Sequence, residues 1–443
     1  MSAFSILIDD FIIGHIRKCT EAQGRRVLKN DNYKVSREEI LAVIGIMYAR
    51  GILGKNQSID HLWSRKWGPP FFRDTMPRHK FKELMRFIRF DIRTMRSERL
   101  RTDRFAYISE VWDRFIEDCK AAYKPHENIT IDEQLFPSKC RCPFLQYMGN
   151  KPDKFGIKFW IAADTESKYM LNAFPYLGKD EFRPANQPLS THVVLRLMEP
   201  FTGKGRNVTT DNFFTSLQLA EHLKAKNTSI VGTMNKARRE IPSQMKSWKG
   251  QLYDTLLLKN NDTTLAIYQS KKKKTVFILS SLHRTVSIGD GQKKKPETVV
   301  YYNATKFGVD VLDQMARNYS TRCPSRRWPV HVFYNILDLA SINAWILYSE
   351  VTGEKLSRHD FNLGLAQELA YSLKNLELAE SAEDSDENLE EESSTPNKKR
   401  KHCQVRLCKN NKTVMTCKKC KKYVCGKCTA VTKQIVFCKL CKK

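Results

Sequence analysis

Acidic residues are in short supply in this chain: 48 Asp and Glu stand against 76 Lys and Arg over 443 residues, a formal charge of +28 and a pI near 9.6. An imbalance that large points to a polyanion as partner, nucleic acid first and an anionic membrane surface second. Long apolar runs are also scarce. The longest, Ile40–Tyr48, falls far short of the ~18 residues of a membrane span and reads as a buried helix, so no membrane association is expected. The N-terminus MSAFSILIDDF lacks a basic segment ahead of an apolar core, so no signal peptide is expected. A nucleocytoplasmic chain keeps its thiols reduced. Cysteine is sparse until the end, where eight of the 13 fall between Cys403 and Cys441, a clustering that suggests metal and not disulfides.

With 41% hydrophobic residues, the chain has enough length and apolar content for two to four domains. Residues 1–125 read as helical. Ser36 and Glu39 form a capping box, with Val35 and Ile40 as its hydrophobic staple. Further helices are expected at Arg78–Phe90 and Ile108–Tyr123, and the arginines Arg86, Arg89, Arg93, Arg96, Arg99 and Arg101 read as a solvated face or as contacts to a DNA backbone. From 126 to 234 the period becomes that of strands: three strands, a helix, a strand, a helix and a strand. Residues 235–300 read as an inserted β-rich module with basic turns at Lys271–Lys274 and Lys293–Lys295. Helices return in 301–376. Glu377–Glu392 holds nine acids and no base, and 377–397 reads as a disordered acidic linker. Lys398–Lys401 reads as a nuclear-import patch, and 398–443 as a cysteine-rich module.

Three segments place an aspartate among apolar neighbours: ITIDEQLF with Asp132, VTTDNFFTS with Asp211, and GVDVLDQM with Asp310 and Asp313. An ionised carboxylate there is costly unless a positive charge holds it. Singly, each reads more readily as structural; Asp211, for example, sits where a helix N-cap belongs. Together they suggest carboxylates converging on divalent metal, a standard means of cutting phosphodiesters. Asp310 and Asp313, three apart, are expected on one helix face.

In the tail the spacing is Cys403-x4-Cys408-x8-Cys417-x2-Cys420-x4-Cys425-x2-Cys428-x9-Cys438-x2-Cys441. Four close pairs predict two zinc ions in a cross-brace, pairs one and three on one ion and pairs two and four on the other. RING-type ligases and PHD-type readers share such modules. Residues 398–443 hold 16 Lys and Arg and no acid, which favours a nucleic-acid backbone as partner.

The strand order with acids on its first strand, its fourth strand and a later helix resembles the ribonuclease-H-like fold of transposases and integrases. The segments TIDEQLF, RCPF, NKPDKFGIK, KYMLNAFPYLG, VTTDNFFTS, SIVGTM, RREIP, VYYNATKFGVDVLDQM and RRWPVHVFYNILDLASINAWILY, with the cysteine cluster, resemble the piggyBac transposases in collinear order. That resemblance implies a mixed α+β architecture: an N-terminal helical dimerisation and DNA-binding domain, a ribonuclease-H-like core interrupted by the β-rich insertion, and a C-terminal zinc module. It makes Asp132, Asp211 and Asp310 the ligands of two Mg2+, with Asp313 a further catalytic aspartate. It implies nicking of transposon ends, hairpin intermediates and joining at TTAA by a nuclear homodimer acting on double-stranded DNA. It implies DNA contacts from Asn212, Arg238, Arg239 and Trp328. A domesticated relative that binds DNA without moving it shares these motifs.

Overall fold

The computed structural model describes residues 2–149, 151–178 and 183–373, and, in the C-terminal part, 401–405, 408, 411–413, 415–417, 420–432 and 435–438. The acidic run Glu377–Glu392, and all of the basic patch except Lys401, lie outside the described residues. The chain divides into two units, Met1–Leu376 and Glu377–Lys443.

The first unit is mixed α+β. Its N-terminal part is helical, with principal helices at Asp10–Leu28, Arg37–Leu53, Arg78–Phe87 and Ser109–Ala122. The capping box forms: the Glu39 N–H donates to Ser36 Oγ at 3.0 Å and the Ser36 N–H to Glu39 Oε2 at 2.9 Å. Val35 and Ile40 are buried on either side of it.

One nine-stranded sheet organises the rest. Its strands are β1 (Asn128–Pro137), β2 (Leu145–Tyr147), β3 (Phe155–Asp164), β4 (Met170–Pro175), β5 (Asn207–Thr210), β6 (Ser229–Thr233), β7 (Thr255–Asn260), β8 (Thr263–Lys271) and β9 (Lys274–Ser280). Their order is β2-β3-β1-β5-β6-β9-β8-β7, with β4 pairing the same edge of β3 as β2. The β3–β1 and β3–β4 pairs are antiparallel, and β1–β5 and β5–β6 are parallel. The helices Leu189–Met198 and Leu217–Lys224 make the crossovers that parallel neighbours require. The stretch 235–300 does not form a sheet of its own: β9 pairs antiparallel with β6, so its three strands lengthen the main sheet.

The helix Trp328–Thr352 is long and apolar enough by length and composition to cross a membrane, which the longest uninterrupted apolar run did not foretell; 89% of its most apolar window is buried inside the protein. Its polar residues show why it belongs in a protein core. Asn343 brackets the start of β4, accepting from the Met170 N–H at 2.8 Å and donating to the Met170 carbonyl at 2.9 Å. Asn335 donates to Gln134 Oε1 on β1 at 2.8 Å. Both ends of the Asn343 amide and the Nδ2 of Asn335 are thus bonded to strands, a partner that lipid does not offer, while Asn335 Oδ1 is buried without one.

Candidate active site and metal centre

The parallel pairing of β1 with β5 runs to Ile131 opposite Thr210. The next residue along each is an aspartate, Asp132 within β1 and Asp211 just after β5, so two carboxylates 79 positions apart in sequence come to neighbouring strands. Each is held by a local backbone bond: Asp132 Oδ1 accepts from the Glu133 N–H at 2.8 Å, and Asp211 Oδ1 from the Phe213 N–H at 2.9 Å. Two residues before each aspartate, hence on the same face of its strand, stands a threonine. Thr130 Oγ1 donates to the Thr305 carbonyl at 2.6 Å, and Thr209 Oγ1 to Thr305 Oγ1 at 2.8 Å.

That anchor sets the end of the helix Glu297–Thr305 against the strands, and the helix Gly308–Asn318 follows at once. Gly308 lies so near β1 that a Cβ there would fall 2.7 Å from Thr130 Oγ1. A glycine is what this close approach requires. Two residues on, Asp310 completes the set. Asp132, Asp211 and Asp310 line one cavity of about 210 Å³, together with Tyr302, Lys306 and Phe307.

The electrostatics are those of crowded anions. Burial first, then the charges of Glu133 and Asp211, push the Asp132 carboxyl up to about 8. Burial also raises Asp211, with Glu133 adding to the effect. Lys306 lines the cavity itself, and Lys158 on β3 lies beside Glu133. The Lys158 Nζ lies 3.9 Å from Glu133 Oε2 and 3.7 Å from the centre of the Trp160 ring, which in turn stacks on Phe213. Three hard oxygen donors from separate segments, one of them resisting ionisation until a positive charge arrives, fit divalent cations such as magnesium.

Asp313 shares the helix but not the cavity. It accepts from Gln134 Nε2 at 3.2 Å and from Arg317 Nε at 3.1 Å, and Arg317 also bridges to Asp153 at 3.0 Å. Three residues advance a helix by about 300°, which leaves Asp310 and Asp313 about 60° apart on one face, yet Asp313 turns to Gln134 and Arg317. Asn212, Arg238 and Arg239 gather along an open cleft on the far side of the Asp211 turn, where Arg238 donates to the Phe213 carbonyl at 2.9 Å.

Trp328, expected as a DNA contact, is instead a core residue. It is 7% exposed and packs against Phe105, Tyr107 and Phe144 with ring centres 5.0–5.6 Å away.

Sequence reasoning missed the lysines. A cleft of about 660 Å³ that shares Asn212, Tyr302 and Lys306 with the surroundings of the aspartates is lined by Lys236, Lys271, Lys274, Lys293, Lys295 and Lys306, without one acidic residue. The runs at 271–274 and 293–295 were visible as basic turns. What sequence did not show was that the sheet carries both turns to one place.

In the second unit, Cys403, Cys408, Cys425 and Cys428 have sulfurs that all lie within 4.8 Å of one another. Among the described residues no other group of three or more His, Cys, Asp or Glu is that tight. Cys408 Sγ and Cys425 Sγ stand 3.6 Å apart, close to the ~3.8 Å edge of a tetrahedron with zinc–sulfur bonds of ~2.3 Å. The Cys425 N–H points at Cys403 Sγ at 3.3 Å. Pairs one and three therefore share a place that fits one metal ion. Cys417 and Cys420 are not part of it. Cys441 and the side chain of Cys438 lie outside the described residues.

A family profile described as Transposase IS4 matches residues 1–345. Over 264 residues the chain is 23% identical to human PiggyBac transposable element-derived protein 3, covering 56% of this chain and 44% of that protein. The human Chimeric ERCC6-PGBD3 protein matches equally well, with 25% of its length covered. The chain thus spans less than half the length of either human relative. Among solved structures, one titled as the cryo-EM structure of a piggyBac transposase synaptic complex with hairpin DNA superposes with a TM-score of 0.80 at 32% identity, over 99% of this chain and 96% of that one. The profile match over residues 1–345 places the chain in the Transposase IS4 class. Within that class, the chain belongs to the piggyBac transposase family.

Proposed function

We propose that the chain is a piggyBac-like DNA transposase, which cuts transposon ends through hairpin intermediates and joins them at TTAA. The observation that carries this reading is the meeting of Asp132, Asp211 and Asp310 in one cavity beside a lysine-lined cleft. The order β4-β3-β1-β5-β6, with its first three strands antiparallel and its last three parallel, supports a ribonuclease-H-like core. The solved neighbour's association with hairpin DNA supports the intermediate.

Asp132, Asp211 and Asp310 would hold two Mg2+, which supply an activated attacking oxygen and a stabilised leaving oxygen when bound. The chain's own part is to bring Asp132 from within β1, Asp211 from just after β5 and Asp310 from the helix Gly308–Asn318 to one cavity. Asn212, Arg238 and Arg239 would contact DNA where the cleft leaves the Asp211 turn. Two structural Zn2+ would hold the C-terminal unit, Cys403, Cys408, Cys425 and Cys428 on one, and Cys417, Cys420, Cys438 and Cys441 on the other. Asp313 would act by fixing Arg317 and β1 beside the cavity. The enzyme would work as a nuclear homodimer on two double-stranded ends.

The test is nicking by the full chain of duplex DNA carrying the inverted repeats that flank its gene, with and without Mg2+. Metal-dependent nicking, abolished in Asp211→Ala with DNA binding retained, supports the proposal. Nicking unchanged in Asp211→Ala overturns it. Binding without nicking by the wild type would mark a domesticated DNA-binding relative.

A further inference from the structure

The arginines of the N-terminal helical part divide into two kinds. Arg96 is spent on Asp91, as a two-pronged pair at 2.6 and 2.9 Å, and Arg99 on Glu110 and Ser109. Arg89 has no such acid. Its guanidinium donates to the backbone carbonyls of Ile88 at 2.8 Å and Arg86 at 3.2 Å. Arg327, just before the helix Trp328–Thr352, is fixed the same way, donating to the carbonyls of Ile88 and Met85 at 2.6 Å each. Exposed Arg326 is its neighbour, and among the described residues none of these three pairs with a carboxylate.

Arg89, Arg96, Arg326 and Arg327 line a single cavity of about 270 Å³, walled by Tyr107 and Trp328. Asp91 is the only acid in its lining, and Arg96 already neutralises it. Two of these three like charges, Arg89 and Arg327, are held by carbonyls, which orient a guanidinium without cancelling it, and exposed Arg326 adds a third. Burial first, then the charges of Arg327 and Arg96, bring the Arg89 guanidinium down to about 10. The N-terminus of a 25-residue helix opens on the same cavity through Trp328, Pro329 and Val330, and it favours an anion. Planar, fixed guanidiniums are suited to phosphate oxygens.

We infer that this cavity is a phosphate-binding site, separate from the aspartate cavity, and that its occupant is a backbone phosphodiester of bound DNA. The identity of the occupant as DNA rests on the function proposed above; the anion site itself does not. Trp328 then serves the site as part of its wall.

Two measurements on the full chain, without added divalent metal, test this. Inorganic pyrophosphate is expected to raise the melting temperature of the wild type and not that of Arg89→Gln/Arg326→Gln. For a labelled duplex, anisotropy titrations at several salt concentrations should show the double variant binding about tenfold more weakly. The slope of log K against log salt should fall by about 0.9 for the one phosphate lost. Arg326→Gln alone, at an exposed position, gives part of both effects if the double variant fails to fold. Arg326→Lys, which keeps charge but not the fork, should restore the slope without restoring full affinity. A pyrophosphate effect lost in the variant with an unchanged duplex slope would overturn the DNA occupant in favour of a free anion. Unchanged behaviour in both measurements would overturn the site. If the wild type binds no duplex at all, the proposed function fails, and the pyrophosphate measurement alone decides the site.

Discussion

The aspartate cavity and the cysteine cluster collect their ligands in opposite ways. The cysteines come from one short stretch, 403 to 428, and turns bring them together with little help from the rest of the chain. The aspartates span 132 to 310 and meet only because β1 and β5 pair in one register and a glycine lets a helix approach them. A site of the first kind would depend on a bound metal for its fold, whereas the second depends on the fold to gather its donors. The cysteine cluster is accordingly the tighter of the two, while the aspartates surround an open cavity suited to ions that keep part of their water.

The largest effect that would sharpen this contrast is on chemistry. Asp211→Ala should lower nicking by more than the 10- to 100-fold loss typical of residues that merely support a metal ligand, with the melting of the first unit little changed. Cys425→Ser should do the reverse: zinc content, read by mass spectrometry, falls and the second unit loses its ordered signal, while the first unit keeps its melting transition. Loss of the first unit's transition in that variant would break the comparison.

Next is Trp328→Ala, expected to destabilise the first unit by about 3–5 kcal/mol because an aromatic cluster loses its centre. A denaturant melt reads this, and Trp328→Phe should recover most of it. A normal melt with defective DNA binding would instead make Trp328 a DNA contact.

Gly308→Ala tests the fold's part in the aspartate site. The added methyl must push the helix away from Thr130, costing about 1–3 kcal/mol and displacing Asp310. Mg2+ affinity should weaken although no ligand has been changed; unaltered affinity would mean that the close approach does not position Asp310.

The smallest effect is a pH dependence. The Asp132 carboxyl is raised from an ordinary value of 3.8 to about 8, so between those values the folded state holds a proton that the unfolded state has lost. Metal-free stability contributed by this group is therefore full near pH 4 and is lost as pH rises toward 8. Urea melts at pH 5 and pH 8 should show a larger drop for the wild type than for Asp132→Asn. Equal drops would show that burial and Asp211 do not act on Asp132 as described.

Legibility in the sequence followed the same division. The cross-brace pairing of the first and third cysteine pairs could be read from spacing because its contacts are local. The aspartates could be picked out singly by their apolar neighbours, but their meeting depends on strand order, which periodicity does not encode. The capping box at Ser36 was readable because both of its bonds lie within four residues. The destination of β7–β9 was not, because a β-rich stretch looks alike whether it closes on itself or extends another sheet. Asp313 and Trp328 mark the limit. The motif named both residues, but only packing shows that one turns toward Arg317 and the other lies within an aromatic core.

The account stands most directly on whether the three aspartates act as one cation site. Mn2+ binding to the zinc-loaded full chain, followed by electron paramagnetic resonance, measures this without DNA or turnover. The expected result is binding in the wild type that is weakened in each of Asp132→Asn, Asp211→Asn and Asp310→Asn, and that strengthens as pH rises toward 8. Binding unaffected by all three substitutions would contradict it.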